Sequence, residues 1–326
     1  MKPLETQELA CPLCAAPVPM RSHFKNGADR IRQCPECSVG FVYPRLTGSY
    51  LLSQYSPKYF QEKGYDSIEE SEYVNMHSWR AKIAMCLRRV NKLRRAQAGL
   101  LLDVGCGRGW FLEAARERGW RVQGVELCAA VAEKTMENVG TQVYSGSIFD
   151  VDIDLPSETF DLVTMFDVIE HLEAPLEALR ICHRILKPGG ALAISTPNLR
   201  GLGCRLLGAK AFAVWPDEHI FYFGPGSMKR ALQLADFTDM EIASREIYPE
   251  NAATLLSGLL GRRPLGRSLP GRNGHTGVVN NADPGVRSVK QLFRNNPALK
   301  AVRAALNRLF AAFPIGDELL AFTIKR

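Results

Sequence analysis

Four of the nine cysteines stand as two C-x2-C pairs, Cys11-Pro12-Leu13-Cys14 and Cys34-Pro35-Glu36-Cys37, nineteen residues apart. Two thiolates two residues apart can grip one ion from a tight turn, and a second such turn completes a tetrahedron. Proline after the first cysteine of each pair fixes φ for that turn. Four cysteine ligands leave no coordination position for water or substrate, so the predicted ion is a structural zinc. A second constellation is Leu101-Leu102-Asp103-Val104-Gly105-Cys106-Gly107-Arg108-Gly109, an apolar run ending in an acid and passing through glycines. Such a turn lets a ligand approach the backbone in front of a helix N-terminus. A dinucleotide site of the G-x-G-x-x-G type needs glycine at 110, where this chain has Trp110. Further on, Gly124-Val125-Glu126 ends the next apolar run, and a carboxylate there can accept hydrogen bonds from both hydroxyls of a ribose. Together these residues predict a nucleoside-cofactor site. A third set is His171, which follows Glu170, and His219 in Pro216-Asp217-Glu218-His219-Ile220. These are the candidate general bases with a pKa near neutrality, and the alternative is that each satisfies a loop. Glu170, Glu218 and a histidine also suggest an oxygen-rich divalent site.

The elements that must position these residues alternate between strand and helix. Apolar runs predict strands at 100–104, 121–126, 141–145, 160–166 and 190–195, and buried runs of this kind suit a parallel sheet covered on both faces. Helical periodicity falls near 109–118, 128–138, 171–187 and 226–235, with Gly119 and Lys187-Pro188-Gly189-Gly190 as C-terminal stops. The order argues for a doubly wound α/β fold. Two late strands, near 240–247 and 318–325, are separated by a long segment rich in Gly, Pro, Arg and Asn, followed by helical patterns at 286–296 and 298–312. The expected organisation is a zinc ribbon (1–45), a Tyr-rich linker and basic helix (46–97), a cofactor-binding core (98–250), a basic insertion (251–316) and a last core strand (317–326). Aromatics between Tyr50 and Tyr73 either pack on the core or line its cleft.

In its ordered motifs the segment 98–247 resembles the class I S-adenosylmethionine-dependent methyltransferases, particularly the small-molecule branch that includes ubiquinone-biosynthesis O-methyltransferases. LLDVGCGRG is similar to that family's first motif and Glu126 to its ribose-binding acid, with Leu127 beside it. Ser145-Gly146-Ser147-Ile148 stands where the family contacts adenine, although an Asp is common at 147. Phe166-Asp167-Val168-Ile169-Glu170-His171 resembles the end of the family's fourth strand. The resemblance implies a Rossmann-like sheet of seven strands with an antiparallel last strand. It also implies that Asp103, Gly105, Cys106, Gly107, Gly109, Glu126, Leu127, Ser147, Ile148, Phe166 and Asp167 hold S-adenosylmethionine. The ribbon, with Cys-Pro-Glu-Cys and Gly40-Phe-Val-Tyr-Pro-Arg, looks like one fused to bacterial members.

Composition narrows the rest. Of 326 residues, 46% are hydrophobic and 23% charged, which excludes wholesale disorder and collagen-like chains. No apolar run approaches the roughly 18 residues of a membrane span, and MKPLETQELACPLC lacks the layout of a secretory signal, so a cytoplasmic location is expected. The net charge of +7 is local: residues 80–95 hold seven Lys/Arg and no acid, and 251–316 hold ten with one acid, Asp283. Residues 11–37 carry four Lys/Arg against two acids, a weak footprint for nucleic acid. A small-molecule, sugar or lipid-linked acceptor is therefore expected, with an RNA methyltransferase or a non-catalytic cofactor-binding scaffold as alternatives. The basic amphipathic pattern of 286–313 fits either a lid or a helix lying on the inner face of the membrane.

Overall fold

Each Cys-Pro-x-Cys sequence occupies the turn of a short antiparallel hairpin: β1 (Leu9–Ala10) with β2 (Pro17–Val18), and β3 (Ile31–Gln33) with β4 (Gly40–Val42). The two turns repeat one local geometry. Ala15 and Ser38 adopt positive φ and donate their N–H groups to the Cys11 and Cys34 carbonyls at 2.9 and 3.0 Å. The computed structural model describes residues 9–18, 30–45, 71–94, 97–150, 155–248, 251–252, 254–255 and 313–326. Most of the Tyr-rich stretch and the helical patterns of the insertion lie outside those residues.

Helix α1 (Ser71–Arg94) precedes the alternating part of the chain. That part runs β5 (Leu100–Val104), α2 (Trp110–Arg116), β6 (Arg121–Glu126), α3 (Ala129–Val139), β7 (Val143–Ser145) and β8 (Phe160–Phe166). It continues with α4 (Pro175–Ile185), β9 (Leu186–Pro197), α5 (Leu202–Leu207), β10 (Phe221–Tyr222), α6 (Pro225–Leu234), β11 (Asp239–Arg245) and β12 (Glu318–Ile324). Seven of these strands form one sheet in the order β11-β12-β9-β8-β5-β6-β7. The pairs from β9 to β7 are parallel, whereas β12 enters antiparallel between β9 and β11. Alternation along the strands separates two apolar layers. Leu101, Leu162, Ala193 and Phe322 face α1, α2 and α3, while Leu102, Val163, Ile194 and Leu319 face α4 and α6.

Local chemistry shifts some boundaries. The helix expected from 171 begins at Pro175, because Ile169–His171 is a single 3-10 turn and proline fits the first helical position. Lys187-Pro188-Gly189-Gly190 does not stop that helix. It is a bulge inside β9, where pairing with β8 shifts between Phe160 and Leu162. The basic helix α1 turns an apolar stripe, Ile83, Cys86, Leu87 and Val90, into the core. Arg89 reaches Glu241 at 3.1 Å, and Arg94 reaches Asp161 at 2.9 Å while lying over Trp120. Part of the basic face thus fastens the helix to the sheet.

The ribbon does not stand apart. Strand β4 pairs antiparallel with β10, Phe41 opposite Phe221 and Gly40 opposite Tyr222. A Cβ on Gly40 would lie 3.0 Å from that of Tyr222, which explains a glycine in mid-strand. Arg30 forms an ion pair with Asp217 at 2.6 Å. No helix among the described residues is long and apolar enough to cross a membrane.

Candidate active site

The chain crosses from one side of β5 to the other between β7 and β8, so a crevice opens at the carboxyl ends of β5 and β8. Asp103 closes β5 there. Its buried carboxylate accepts the Thr164 hydroxyl at 2.6 Å, and burial, with Glu126 nearby, pushes its pKa up to about 7 against the pull of that hydrogen bond. Gly105, Gly107 and Gly109 follow in left-handed conformations, φ +71°, +49° and +81°. A Cβ on Gly107 would meet no atom within 4 Å, so the loop faces open space at that point. Cys106 turns its thiol inward against Gly124, leaving only its backbone toward the crevice.

Glu126 is buried at the end of β6, and its two oxygens accept the Gly107 N–H at 3.0 Å and the Cys128 N–H at 2.9 Å. Burial raises its pKa, and these backbone donors oppose that rise. Leu127 is half-buried beside it, and the Gly146 N–H on the Glu126 carbonyl ties the next loop to the same place. On that loop Ile148 is buried. The Ser147 hydroxyl accepts the Phe149 N–H at 3.3 Å, and the Asp150 carboxylate accepts the Ser147 N–H. Asp150, which the sequence motif did not single out, thus places a carboxylate on the same loop as Ser147.

The end of β8 lies directly against the glycine loop, since a Cβ on Gly105 would sit 2.6 Å from Val168 Cγ2. Phe166 packs edge-on against Phe111 at 4.9 Å, with the Lys82 ammonium 5.3 Å from its ring. Asp167 is partly exposed at positive φ, and the Ser195 hydroxyl donates to it at 3.1 Å. Lys82 is the residue sequence reasoning missed. It is buried, bonded to Ser195 at 3.0 Å, and paired with Asp167 and Glu318. Burial alone would lower its pKa, but the two carboxylates outweigh it and hold the ammonium above the ordinary lysine value. A lysine among seven Lys/Arg on a helix read as basic gave no sign of this.

Glu170, His171 and His219 converge one turn beyond Asp167. One ligand atom from each lies within 4.8 Å of the others. Glu170 is buried, Thr196 donates to its Oε2 at 2.9 Å, and burial with Asp167 nearby pushes its pKa up to about 8. Its Oε1 is buried without a hydrogen-bond partner among the described residues. His171 Nδ1 donates to the Glu218 carbonyl at 2.9 Å and His219 Nδ1 to the Ala213 carbonyl at 2.8 Å. A carbonyl can only accept, so each neutral ring carries its lone pair on Nε2. The two candidate bases thus belong to one cluster. Glu218, considered above as a carboxylate ligand, contributes its backbone instead.

In the ribbon, Cys11 Sγ lies 3.6 Å from Cys37 Sγ and Cys14 Sγ 3.6 Å from Cys34 Sγ. Four sulfurs at ~2.3 Å from a common ion stand roughly 3.8 Å apart, and a disulfide would need ~2.05 Å, so the donor set fits a tetrahedral soft-metal site. The Leu13 and Cys37 N–H groups point at the Cys11 and Cys34 sulfurs at 3.4 and 3.5 Å, donors that suit thiolates. The hydrogen bond from Cys37 draws the Cys11 pKa down to about 5.

A seven-stranded sheet with its last strand inserted antiparallel, a glycine loop after the first core strand and an acid ending the second define a class I S-adenosylmethionine-dependent methyltransferase. Residues 76–242 match the family model described as a methyltransferase domain, just over half of the chain, and the chain belongs to that family. It is similar to a ubiquinone biosynthesis O-methyltransferase of Pseudomonas syringae, 39% identical over 130 residues, covering 38% of this chain and 53% of that protein. Its likeness to the Vibrio parahaemolyticus protein of the same description is 29% over 161 residues, 46% of this chain and 68% of that one. The chain thus spans about half the length of the Pseudomonas relative. Among solved structures, a SAM-dependent methyltransferase from Archaeoglobus fulgidus aligns over 82% of this chain and 99% of its own, at 19% identity and a TM-score of 0.48.

Proposed function

We propose that this enzyme methylates a hydroxyl group of a small-molecule acceptor, held between the glycine loop and the Glu170–His171–His219 cluster. The observation that carries the reading is their adjacency, with Val168 packed on Gly105 and His171 three residues further on. When bound, S-adenosylmethionine supplies a methyl group on a sulfonium, which leaves by in-line displacement. The Glu126 carboxylate and the open face at Gly107 supply what a ribose and a close backbone contact require. Buried acids at 103 and 126 suit a cofactor that carries positive charge. The cluster brings two imidazoles and a carboxyl group together where an acceptor hydroxyl must lose its proton, and the imidazole nitrogens are the bases for it. Holding the two reactants in line supplies most of the acceleration such a displacement needs. The names of the two relatives, both O-methyltransferases, support oxygen as the nucleophile. Against a nucleic-acid role for the ribbon, Arg30 is engaged by Asp217.

Calorimetry tests the cofactor half: Glu126→Ala should weaken S-adenosylmethionine binding by more than ~10-fold, about 1.4 kcal/mol, and unchanged affinity refutes the site. Labelled methyl transfer to hydroxyl-bearing but not amine or RNA acceptors tests the rest. We also propose that the ribbon holds one structural zinc. Metal analysis should find it lost when Cys34 and Cys37 become Ser, and retention would refute the tetrathiolate reading.

A further inference from the structure

The turn that carries His219 is tied internally. The Glu218 and His219 N–H groups both donate to the Trp215 carbonyl, at 3.0 and 2.7 Å, and His219 Nδ1 bonds to the Ala213 carbonyl. These bonds fix the ring to its own turn, and the turn must still be placed against His171, whose ring meets that of His219 at 4.8 Å. Strand β10, which follows, has two residues, too few to hold a loop without partners.

Partners come from two sides. On the core side the Ile220 N–H donates to the Glu170 carbonyl at 2.9 Å, and Phe223 bridges to Asn198 just beyond β9. On the ribbon side the Val42 N–H donates to the Ile220 carbonyl at 3.0 Å, β4 pairs with Phe221 and Tyr222, and Arg30 pairs with Asp217 at 2.6 Å. Buried contacts follow the same route, since Val39 and Phe41 of the ribbon share one apolar layer with Ile169, Ile220, Phe221 and Phe223. Among the described strands, β5 and β6, which lead into the glycine loop and end in Glu126, pair with no ribbon strand.

The hairpin that reaches the loop is short. Three residue pairs join β3 to β4, and the tip is the Cys34–Cys37 turn, closed by the Cys34 N–H on the Val39 carbonyl at 3.0 Å. Among the described residues the first hairpin pairs with no strand of the second. The two meet where Cys11 faces Cys37 and Cys14 faces Cys34. A two-stranded hairpin of this size is marginal in water, and an ion in the four-cysteine set supplies the missing closure.

We propose that the ribbon is a latch for the acceptor side of the crevice: Val42 and Arg30, acting through Ile220 and Asp217, hold His219 against His171, and they do so only while the cysteine set is loaded. Val42 and Arg30 are positioning residues, acting on the reaction through the loop. The glycine-loop side keeps its form without the ion. Removing it separates the two halves of one site, because the cofactor still binds while the imidazole of His219 is no longer presented. The role of His219 as a base rests on the function proposed above; the latch does not.

The test follows amide hydrogen exchange by mass spectrometry in the full-length protein, zinc-loaded and after extraction by a chelator under reductant. Peptides covering 215–223 should exchange at least ~10-fold faster after extraction, as a segment released to local opening does, while those covering 100–126 are unchanged. S-adenosylmethionine affinity should be unchanged by extraction. Arg30→Ala should keep its zinc and its cofactor affinity and speed exchange of the same loop by about 1.5–5-fold, the range for a partly exposed ion pair. Its kcat for hydroxyl methylation should fall by a similar factor, with KM for the cofactor unchanged. The swapped pair Arg30→Asp with Asp217→Arg should restore both readings. Exchange at 215–223 that is unchanged on extraction or in Arg30→Ala overturns the latch. Loss of cofactor binding together with the zinc also overturns it, by making the ribbon a support of the whole core. A ribbon that never holds metal overturns the dependence on loading. A loop that loosens as expected in an enzyme that methylates no hydroxyl supports the latch and refutes the proposed function.

Discussion

Replacing Gly107 with alanine should separate cofactor binding from folding. The residue sits at φ +49°, and a Cβ built on it meets nothing within 4 Å. The fold therefore bears only the strain of a left-handed alanine, roughly 1–2 kcal/mol, partly offset because alanine has less freedom to lose on folding. A net loss near 1 kcal/mol lowers the melting temperature by only about 2–4 °C for a domain of this size. The methyl projects into the space where the cofactor must approach the backbone, so S-adenosylmethionine affinity should fall more than ~10-fold, at least about 1.4 kcal/mol. Gly109→Ala provides the contrast. Its Cβ would lie 2.5 Å from Val139 Cγ2 and 2.8 Å from Thr135 Cγ2 at φ +81°. Overpacking against α3 adds about 1–3 kcal/mol to the same backbone strain, so this variant should melt well below Gly107→Ala. Paired thermal melts and calorimetric titrations decide the matter. Wild-type affinity in Gly107→Ala, or a greater loss of stability there than in Gly109→Ala, would refute the placement of the cofactor on this loop.

Three further outcomes are expected. Lys82→Met leaves the buried Glu318 with Arg245, 3.6 Å away, as its remaining ion-pair partner and should cost about 3 kcal/mol in denaturant unfolding, the low end for a broken buried pair. The added change Glu318→Gln should recover part of that loss, and a cost below about 1 kcal/mol would show that the network is not structural. Asp103, raised by burial from 3.8 to about 7, binds its proton more tightly folded than unfolded. Its contribution is thus fully present below pH ~4 and lost as pH rises through ~7. Asp103→Asn should flatten the fall in cofactor-free stability across that window, and melts with the same slope as wild type would refute the assignment. For residues 286–313, flotation with anionic liposomes tests the membrane reading, and recovery that does not depend on anionic lipid removes it.

Much of the glycine-loop side of the crevice was legible because its signals are local. A strand, a turn and a helix N-terminus within ten residues leave a glycine pattern, and a carboxylate ending the next strand has a fixed spacing from it. The convergence of the four cysteines is legible for the same reason, each turn being closed within five residues by Ala15 and Ser38. What escaped notice depends on distant pairing. Phe221–Tyr222 is too short to announce a strand, yet it completes the ribbon's sheet across 180 residues of chain. Lys82 looks like its solvated neighbours until β8, β9 and β12 bring Asp167, Ser195 and Glu318 around it. The early start expected for α4 failed because apolar periodicity runs unbroken through Ile169 and Leu172, whereas the backbone there makes one 3-10 turn before Pro175.

That turn explains why the ribbon sits where it does. His171 and His219 come from opposite ends of an excursion that includes β9, and their rings meet at 4.8 Å only because the returning loop is held in register with the end of β8. One restraint is internal, the Ile220 N–H on the Glu170 carbonyl. The other is supplied by the ribbon: the Val42 N–H bonds to the Ile220 carbonyl at 3.0 Å, β4 pairs with the next two residues, and Arg30 pairs with Asp217 two residues before His219. Ile220 is thus gripped on both edges, by Glu170 on one side and Val42 on the other. The second cysteine pair closes the hairpin that carries Val42, so the cysteine turn and the loop that delivers His219 are joined through one run of backbone hydrogen bonds.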